Sequence, residues 1–277
     1  MEIKISAADV KKLRDITGAG MMDCKKALEE AQGDVQGAIE ILRKKGQKMS
    51  DKRSDREAKE GVVMALLSDD ATKGIIVRVS CETDFVAKNE EFVAFVKGIA
   101  DAALAAFPTT LEALLSVTID GITIGDKLAE KTGVIGEKIE IGAYETLEAA
   151  QVVSYIHNGY RSSVLVGFNK AVAGLDQAGR DVAMQVAAMQ PIAVDKDGVD
   201  AATIEKEIEI AKEVARNEGK PENLLEKIAQ GKLGAFYKEH TLVNQEFVKD
   251  PKLTVGAFVK TIDKDLTVTA FKFVKLG

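Results

Sequence analysis

The sequence predicts an α+β fold: a small three-helix module, then an α/β sandwich core built twice, with an antiparallel helical hairpin inserted in the second copy. Three observations predict it. Apolar residues recur at helical spacing up to about residue 46 and at a period of two from Gly61 onward. A pattern of paired strands followed by a helix recurs at an offset of 88, matching Ile76 to Val164, and a later pattern recurs at 131, matching Gly125 to Gly256. The difference of 43 residues is a segment inserted in the second copy, and that stretch carries its own apolar seam.

The first helix is expected to start at Ser6, with Asp9 three positions on as a variant of the capping box, and to carry Val10, Leu13 and Ile16. Thr17-Gly18-Ala19-Gly20 ends it. A second helix runs from about Asp23 to Gly33, and a third from Asp34 through Val35, Ala38, Ile39 and Leu42 until Gly46 stops it. Between Arg43 and Lys59 eight basic residues face three acidic ones. This stretch reads as an electrostatic arm or as a solvated linker or exposed helix, and no aromatic is interleaved for base stacking.

Beyond it, Val62–Leu67 and Ile75–Val79 are expected as strands, and Glu90–Ala106 as an amphipathic helix with Phe92, Phe95, Ile99 and Ala103 on one face. Val152–Ile156, Val164–Val166 and a helix across Val182, Val186 and Met189 repeat the theme. Ile122–Gly125 with a strand from Glu137 to Leu147 is matched by Leu253–Gly256 with a strand from Leu266 to Leu276. In the insertion, Ile204, Ile208, Ala211 and Ala215 alternate at spacings of 4 and 3, Gly219-Lys220-Pro221 breaks the run, and Leu224, Leu225, Ile228 and Leu233 return on a second helix. The seam suits a homodimer, which could form through the hairpin or the core, or simply the packing of the hairpin's own arms. The expected boundaries are a helical module at 1–50, a basic linker at 51–60, core halves at 61–148 and at 149–198 with 241–277, and the hairpin at 199–240.

Composition narrows function. At 46% apolar and 30% charged residues, with 4 Pro in 277, the chain is an ordinary globular one. Its net charge of −6 argues against a protein whose main work is neutralising phosphate backbones, so no direct nucleic-acid partner is expected. No apolar run reaches membrane-span length and the N-terminus shows no export or organelle signal, so a soluble, cytoplasmic chain with no membrane partner is expected. Two Cys and two His leave little stock for a zinc site, and no phosphate-cradling glycine loop or nucleophile elbow is present. Neither a cofactor nor an enzymatic activity is therefore expected. A thiol enzyme built on Cys81 and His157 is the remaining catalytic alternative, against Cys81 as a small strand residue.

Two stretches carry more than periodicity. Leu13-Arg14-Asp15-Ile16-Thr17-Gly18-Ala19-Gly20-Met21-Met22-Asp23-Cys24-Lys25-Lys26-Ala27-Leu28 resembles the N-terminal signature of the bacterial elongation factor Ts family, the nucleotide exchange factors of elongation factor Tu. Cys81-Glu82-Thr83-Asp84-Phe85-Val86-Ala87-Lys88-Asn89 resembles that family's second signature. The resemblance runs in order along the whole chain and implies a ubiquitin-associated-like helical module, the duplicated core and the inserted coiled-coil hairpin. It implies a partner, elongation factor Tu, which carries the GDP or GTP. The Thr83, Asp84, Phe85 and Val86 loop would enter that partner and dislocate its Mg²⁺, while Leu13, Met21, Met22, Ile135, Gly136 and His157 would make further contacts. A C-terminal helical module found in some members is not expected after Gly277.

The residues themselves support part of this. Adjacent methionines in a glycine-rich turn cannot both enter so small a core, so at least one is expected at the surface as an adaptable contact. Thr83-Asp84 falls where a strand gives way to a helix, with Asp84 a candidate N-cap and Phe85 placed to protrude from the first turn.

Overall fold

The computed structural model describes residues 5–277. Its contacts divide the chain into two compact units: the chain up to Met64 with Val77–Tyr144 and Lys275–Gly277, and Ala65–Ile76 with Glu145–Val274. The elements mix helix and strand throughout, as expected of an α+β fold.

The chain begins with α1 (Ala7–Thr17), α2 (Met21–Glu30) and α3 (Val35–Lys52). Ser6 and Asp9 form the expected reciprocal capping box: the Ser6 hydroxyl accepts from the Asp9 N–H and the Asp9 carboxylate accepts from the Ser6 N–H. Asp34 caps α3 by accepting from the Gln36 and Gly37 N–H groups. Val10, Leu13, Cys24, Ala27, Leu28 and Ala38 form the small core between the three helices. Strands β1 (Glu60–Leu67) and β2 (Lys73–Cys81) follow, then α4 (Asp84–Ala87), α5 (Glu90–Ala106), α6 (Leu111–Leu115), β3 (Thr118–Ile119), β4 (Ile122–Thr123), α7 (Ile124–Ile135) and β5 (Glu140–Glu148). One sheet has the order β1-β2-β5.

Three helix limits differ from the expected ones, the second helix ending at Glu30 rather than at Gly33. The second helix starts at Met21, with Gly20 as its N-cap, so the methionines sit in a helical first turn. The third does not stop at Gly46 but continues to Lys52. Gly46 is there because α3 crosses α7 backbone to backbone: a Cβ at Gly46 would lie 2.7 Å from the Ala129 carbonyl oxygen, and one at Gly133 would lie 2.7 Å from the Gly46 Cα. The cost of glycine in a helix is accepted in exchange for close approach.

In the other unit, β6 (Gln151–His157) and β7 (Ser162–Phe168) pair antiparallel with Tyr155 opposite Val164. Then come α8 (Leu175–Met189), α9 (Ala201–Asn217), α10 (Glu222–His240), β8 (Glu246–Phe247), β9 (Asp250–Thr254), α11 (Val255–Ile262) and β10 (Val268–Lys275), with a second sheet in the order β10-β7-β6. Phe168, Val182, Val186, Leu242, Phe247 and Val255 are at the centre of its core. Helices α9 and α10 pack on each other with Ala211, Ala215, Leu225, Ala229 and Leu233 buried between them. Ala211 and Ala215 are seam positions read from the sequence, whereas Leu224 is exposed.

The two sheets share a strand order: the second strand of a hairpin lies at the centre, and the third strand arrives after a helix. That helix is capped the same way in both. Thr123 accepts from the Asp126 N–H at the start of α7, and Thr254 accepts from the Ala257 N–H at the start of α11. No helix among the described residues is long and apolar enough to cross a membrane.

Candidate partner-binding site

Strand β2 ends at Cys81, which is fully buried. The next residue that matters is Thr83, in extended backbone, whose hydroxyl accepts from the Val86 N–H at 3.4 Å and so caps the single turn of α4. Thr83 holds the cap position considered for Asp84, which instead occupies the first helical position. There its carboxylate accepts from the Lys88 ammonium at 2.6 Å. That hydrogen bond holds the Asp84 carboxyl below the usual carboxylate range, so the group is an anion at neutral pH. No residue of α4 is buried, and Phe85 is 83% exposed, more than any other exposed large apolar side chain among the described residues.

Two carboxylates brace this loop from behind. Glu137 accepts from the Glu82 N–H at 3.1 Å, the Thr83 N–H at 3.0 Å and the Thr83 hydroxyl at 2.7 Å. Glu82 in turn accepts from the Lys138 N–H at 2.7 Å and from Arg53 and Arg56 at 2.6 and 3.3 Å. Burial opposes ionisation of Glu82, but the Lys138 N–H and the two guanidinium groups outweigh it and hold its carboxyl below the usual range. Beside Phe85 opens a groove of about 450 Å³, lined by Thr83, Val86, Phe92, Lys131 and Ile135 among others.

Of the other residues read from the sequence, Ile135 ends α7 at this groove, and Gly136 caps that helix in the left-handed conformation at φ 82° with open space around its Cα. Met21 and Met22 are 45% and 64% exposed, which meets the expectation for adjacent methionines, and Ile16 near the end of α1 is 55% exposed rather than core. Leu13 is fully buried within the three-helix core. His157 lies in the other unit, exposed at the end of β6, where its Nδ1 is 2.9 Å from the Tyr155 hydroxyl. The turn after it holds Asn158, Gly159 and Tyr160 at φ 50°, 63° and 69°.

The basic stretch is not a free arm. Lys45 pairs with Asp23, Arg43 with Glu130, Arg53 and Arg56 with Glu82, and Lys59 with Glu57. The thiol alternative also loses support, because burial first, and then the Glu137 charge, push the Cys81 thiol up to about 12. Such a thiol is not a nucleophile at neutral pH. No local sequence pattern marks Glu137 as part of this site, because it lies 54 residues from Thr83 along the chain.

A braced loop that leaves an aromatic ring exposed beside an open groove is a candidate surface for contact with another protein. The family model described as Elongation factor TS matches residues 82–277. Relatives named elongation factor Ts from Christiangramia forsetii, Flavobacterium psychrophilum and Amoebophilus asiaticus are 56%, 55% and 52% identical, each over 99% of this chain and 99% of its own length. The chain belongs to the elongation factor Ts family, whose members serve protein biosynthesis.

Proposed function

We propose that this chain is the guanine nucleotide exchange factor of elongation factor Tu, and that Phe85 is its wedge. The observation that carries the reading is the 83% exposure of Phe85 on a loop held by hydrogen bonds from behind. The factor binds elongation factor Tu with GDP, inserts Thr83–Val86 near that partner's Mg²⁺ site, promotes GDP release and stabilises the nucleotide-free state until GTP binds. No covalent chemistry is involved. Binding the nucleotide-free state more tightly than the GDP state weakens GDP by the same factor. A shift of about 10⁴-fold needs about 5.5 kcal/mol of differential binding, while burying one Phe contributes about 1.5–3 kcal/mol. Phe85 therefore works with other contacts: Met21 and Met22 on the helical module, with Leu13 as their buried support, Ile135 and Gly136 at the groove, and His157 in the second half. Asp84 brings a negative charge towards the partner's metal and phosphates, where repulsion and competition favour escape.

The same reading takes residues 1–50 as a ubiquitin-associated-like module, 61–148 and 149–198 with 241–277 as the repeated core, and 199–240 as an inserted coiled-coil hairpin that is a candidate for pairing two copies. It places the protein in the cytoplasm with its partner. The test is stopped-flow release of a fluorescent GDP from elongation factor Tu with and without the full chain. Acceleration rising with factor concentration to a plateau is expected, and a rate independent of the factor would defeat the proposal.

A further inference from the structure

A wedge that must be ordered as it docks spends binding free energy on its own immobilisation. Helix α4 has four residues, none buried, and a single turn does not hold its own shape in water. What holds it comes from the segment between α7 and β5. Both oxygens of Glu137 are used: one accepts from the Glu82 and Thr83 N–H groups at 3.1 and 3.0 Å, the other from the Thr83 hydroxyl at 2.7 Å. Glu82 returns the contact by accepting from the Lys138 N–H at 2.7 Å. Residues 82–83 and 137–138 are thus tied in both directions, each carboxylate accepting from backbone N–H groups of the other segment. The Thr83 hydroxyl donates to Glu137 and accepts from the Val86 N–H at 3.4 Å, so the carboxylate sets the hydroxyl that caps α4.

We propose that Glu137 is a positioning residue for nucleotide exchange: through Thr83 it fixes the direction in which Phe85 leaves the protein. This rests on the reading of the Thr83–Val86 loop as the wedge. The role is one of geometry rather than charge. A glutamine could place its amide oxygen on the two N–H groups and donate its NH₂ to the Thr83 hydroxyl, replacing every bond.

The experiment measures GDP release from elongation factor Tu over a range of concentrations of the full chain, giving a maximal rate and a half-saturating concentration. Glu137→Ala is expected to lower the maximal rate by about tenfold, the low end of the loss expected on removing the Phe85 side chain itself, with a much smaller change in half-saturation. Glu137→Gln is expected to stay within about twofold of wild type, and Phe85→Ala with Glu137→Ala to be no slower than Phe85→Ala alone. Amide hydrogen exchange at Glu82 and Thr83 should quicken in the Ala variant and not in the Gln variant. If the Ala variant does not fold, Glu137→Asp keeps the charge but shortens the reach, and should be slower than Glu137→Gln. A wild-type maximal rate in the Ala or Asp variant, a Gln variant as impaired as either, or fully additive losses with Phe85→Ala would overturn the positioning role while leaving the wedge standing. A wild-type chain without effect on GDP release would remove both.

Discussion

Both sheets send the chain out of a central strand towards a helix, yet the two exits end differently. After β2, Glu82 and Thr83 are held by Glu137 and Lys138, and the chain then turns Phe85 into solvent. After β7, Asn169 is held by the segment before β10: its side chain donates to the Asp265 carbonyl at 2.9 Å and accepts from the Thr267 N–H at 2.8 Å, while Lys170 pairs with Asp263. That exit enters α8 with Leu175 buried. The same wiring therefore serves two ends. At the second exit the ordered loop feeds the core, where burying a leucine contributes about 1.5–3 kcal/mol. At the first it carries a phenyl ring that contributes almost nothing to folding. On the proposed reading, the exposed ring serves binding rather than folding.

The largest expected effect separates the exits by function. Phe85→Ala should cost most of the wedge's 1.5–3 kcal/mol, roughly a 10- to 150-fold loss in exchange at fixed factor concentration, and leave the unfolding midpoint unchanged. Asn169→Ala should do the reverse: removal of exposed hydrogen bonds lowers stability by about 1 kcal/mol in denaturant titration and spares the maximal exchange rate. Should Asn169→Ala slow exchange as much as Phe85→Ala, the division of labour is wrong.

A third contrast compares the helices that lead back into the two sheets. A Cβ at Gly256 would meet the Val243 carbonyl oxygen at 3.0 Å, but one at Gly125 would find the Leu115 oxygen at an ordinary 3.5 Å. Gly256→Ala is expected to destabilise by about 1 kcal/mol, and Gly125→Ala to be neutral or stabilising by up to about 1 kcal/mol, read from unfolding midpoints.

The smallest effect is a dependence on pH. Because the folded-state pKa of Glu82 is depressed, its contribution to stability is fully present above the ordinary carboxylate value and is lost as pH falls through the depressed one. Glu82→Gln should flatten that acid-side loss in unfolding titrations between about pH 7 and pH 3. Asp263 is depressed in the same direction by Lys170, but its side chain is more exposed than that of Glu82, at 33% against 16%, so added salt should erase its contribution before that of Glu82.

Much of this architecture was legible in the chain because it rests on local rules. The Ser6 cap, the strands around Val63 and Val77, the helix from Glu90 and the Ala211 and Ala215 seam positions all follow from periodicity and capping. What misled was residue type without its neighbours. Gly46 looks like a helix stop but is a contact with Ala129, and only the position of α7 reveals that. Ile16 keeps helical spacing with Val10 and Leu13 yet lies at the surface. The exposed Phe85 could be anticipated from its place after a strand end. Its brace could not, since Glu137 reaches Thr83 only once the chain has folded back over 54 residues.

The most direct test of the central claim is the maximal rate of fluorescent GDP release from elongation factor Tu at saturating concentrations of wild-type and Phe85→Ala chains. A plateau at least about tenfold lower for Phe85→Ala, with the variant still bound to the partner, is the predicted result. Equal plateaus would contradict the account.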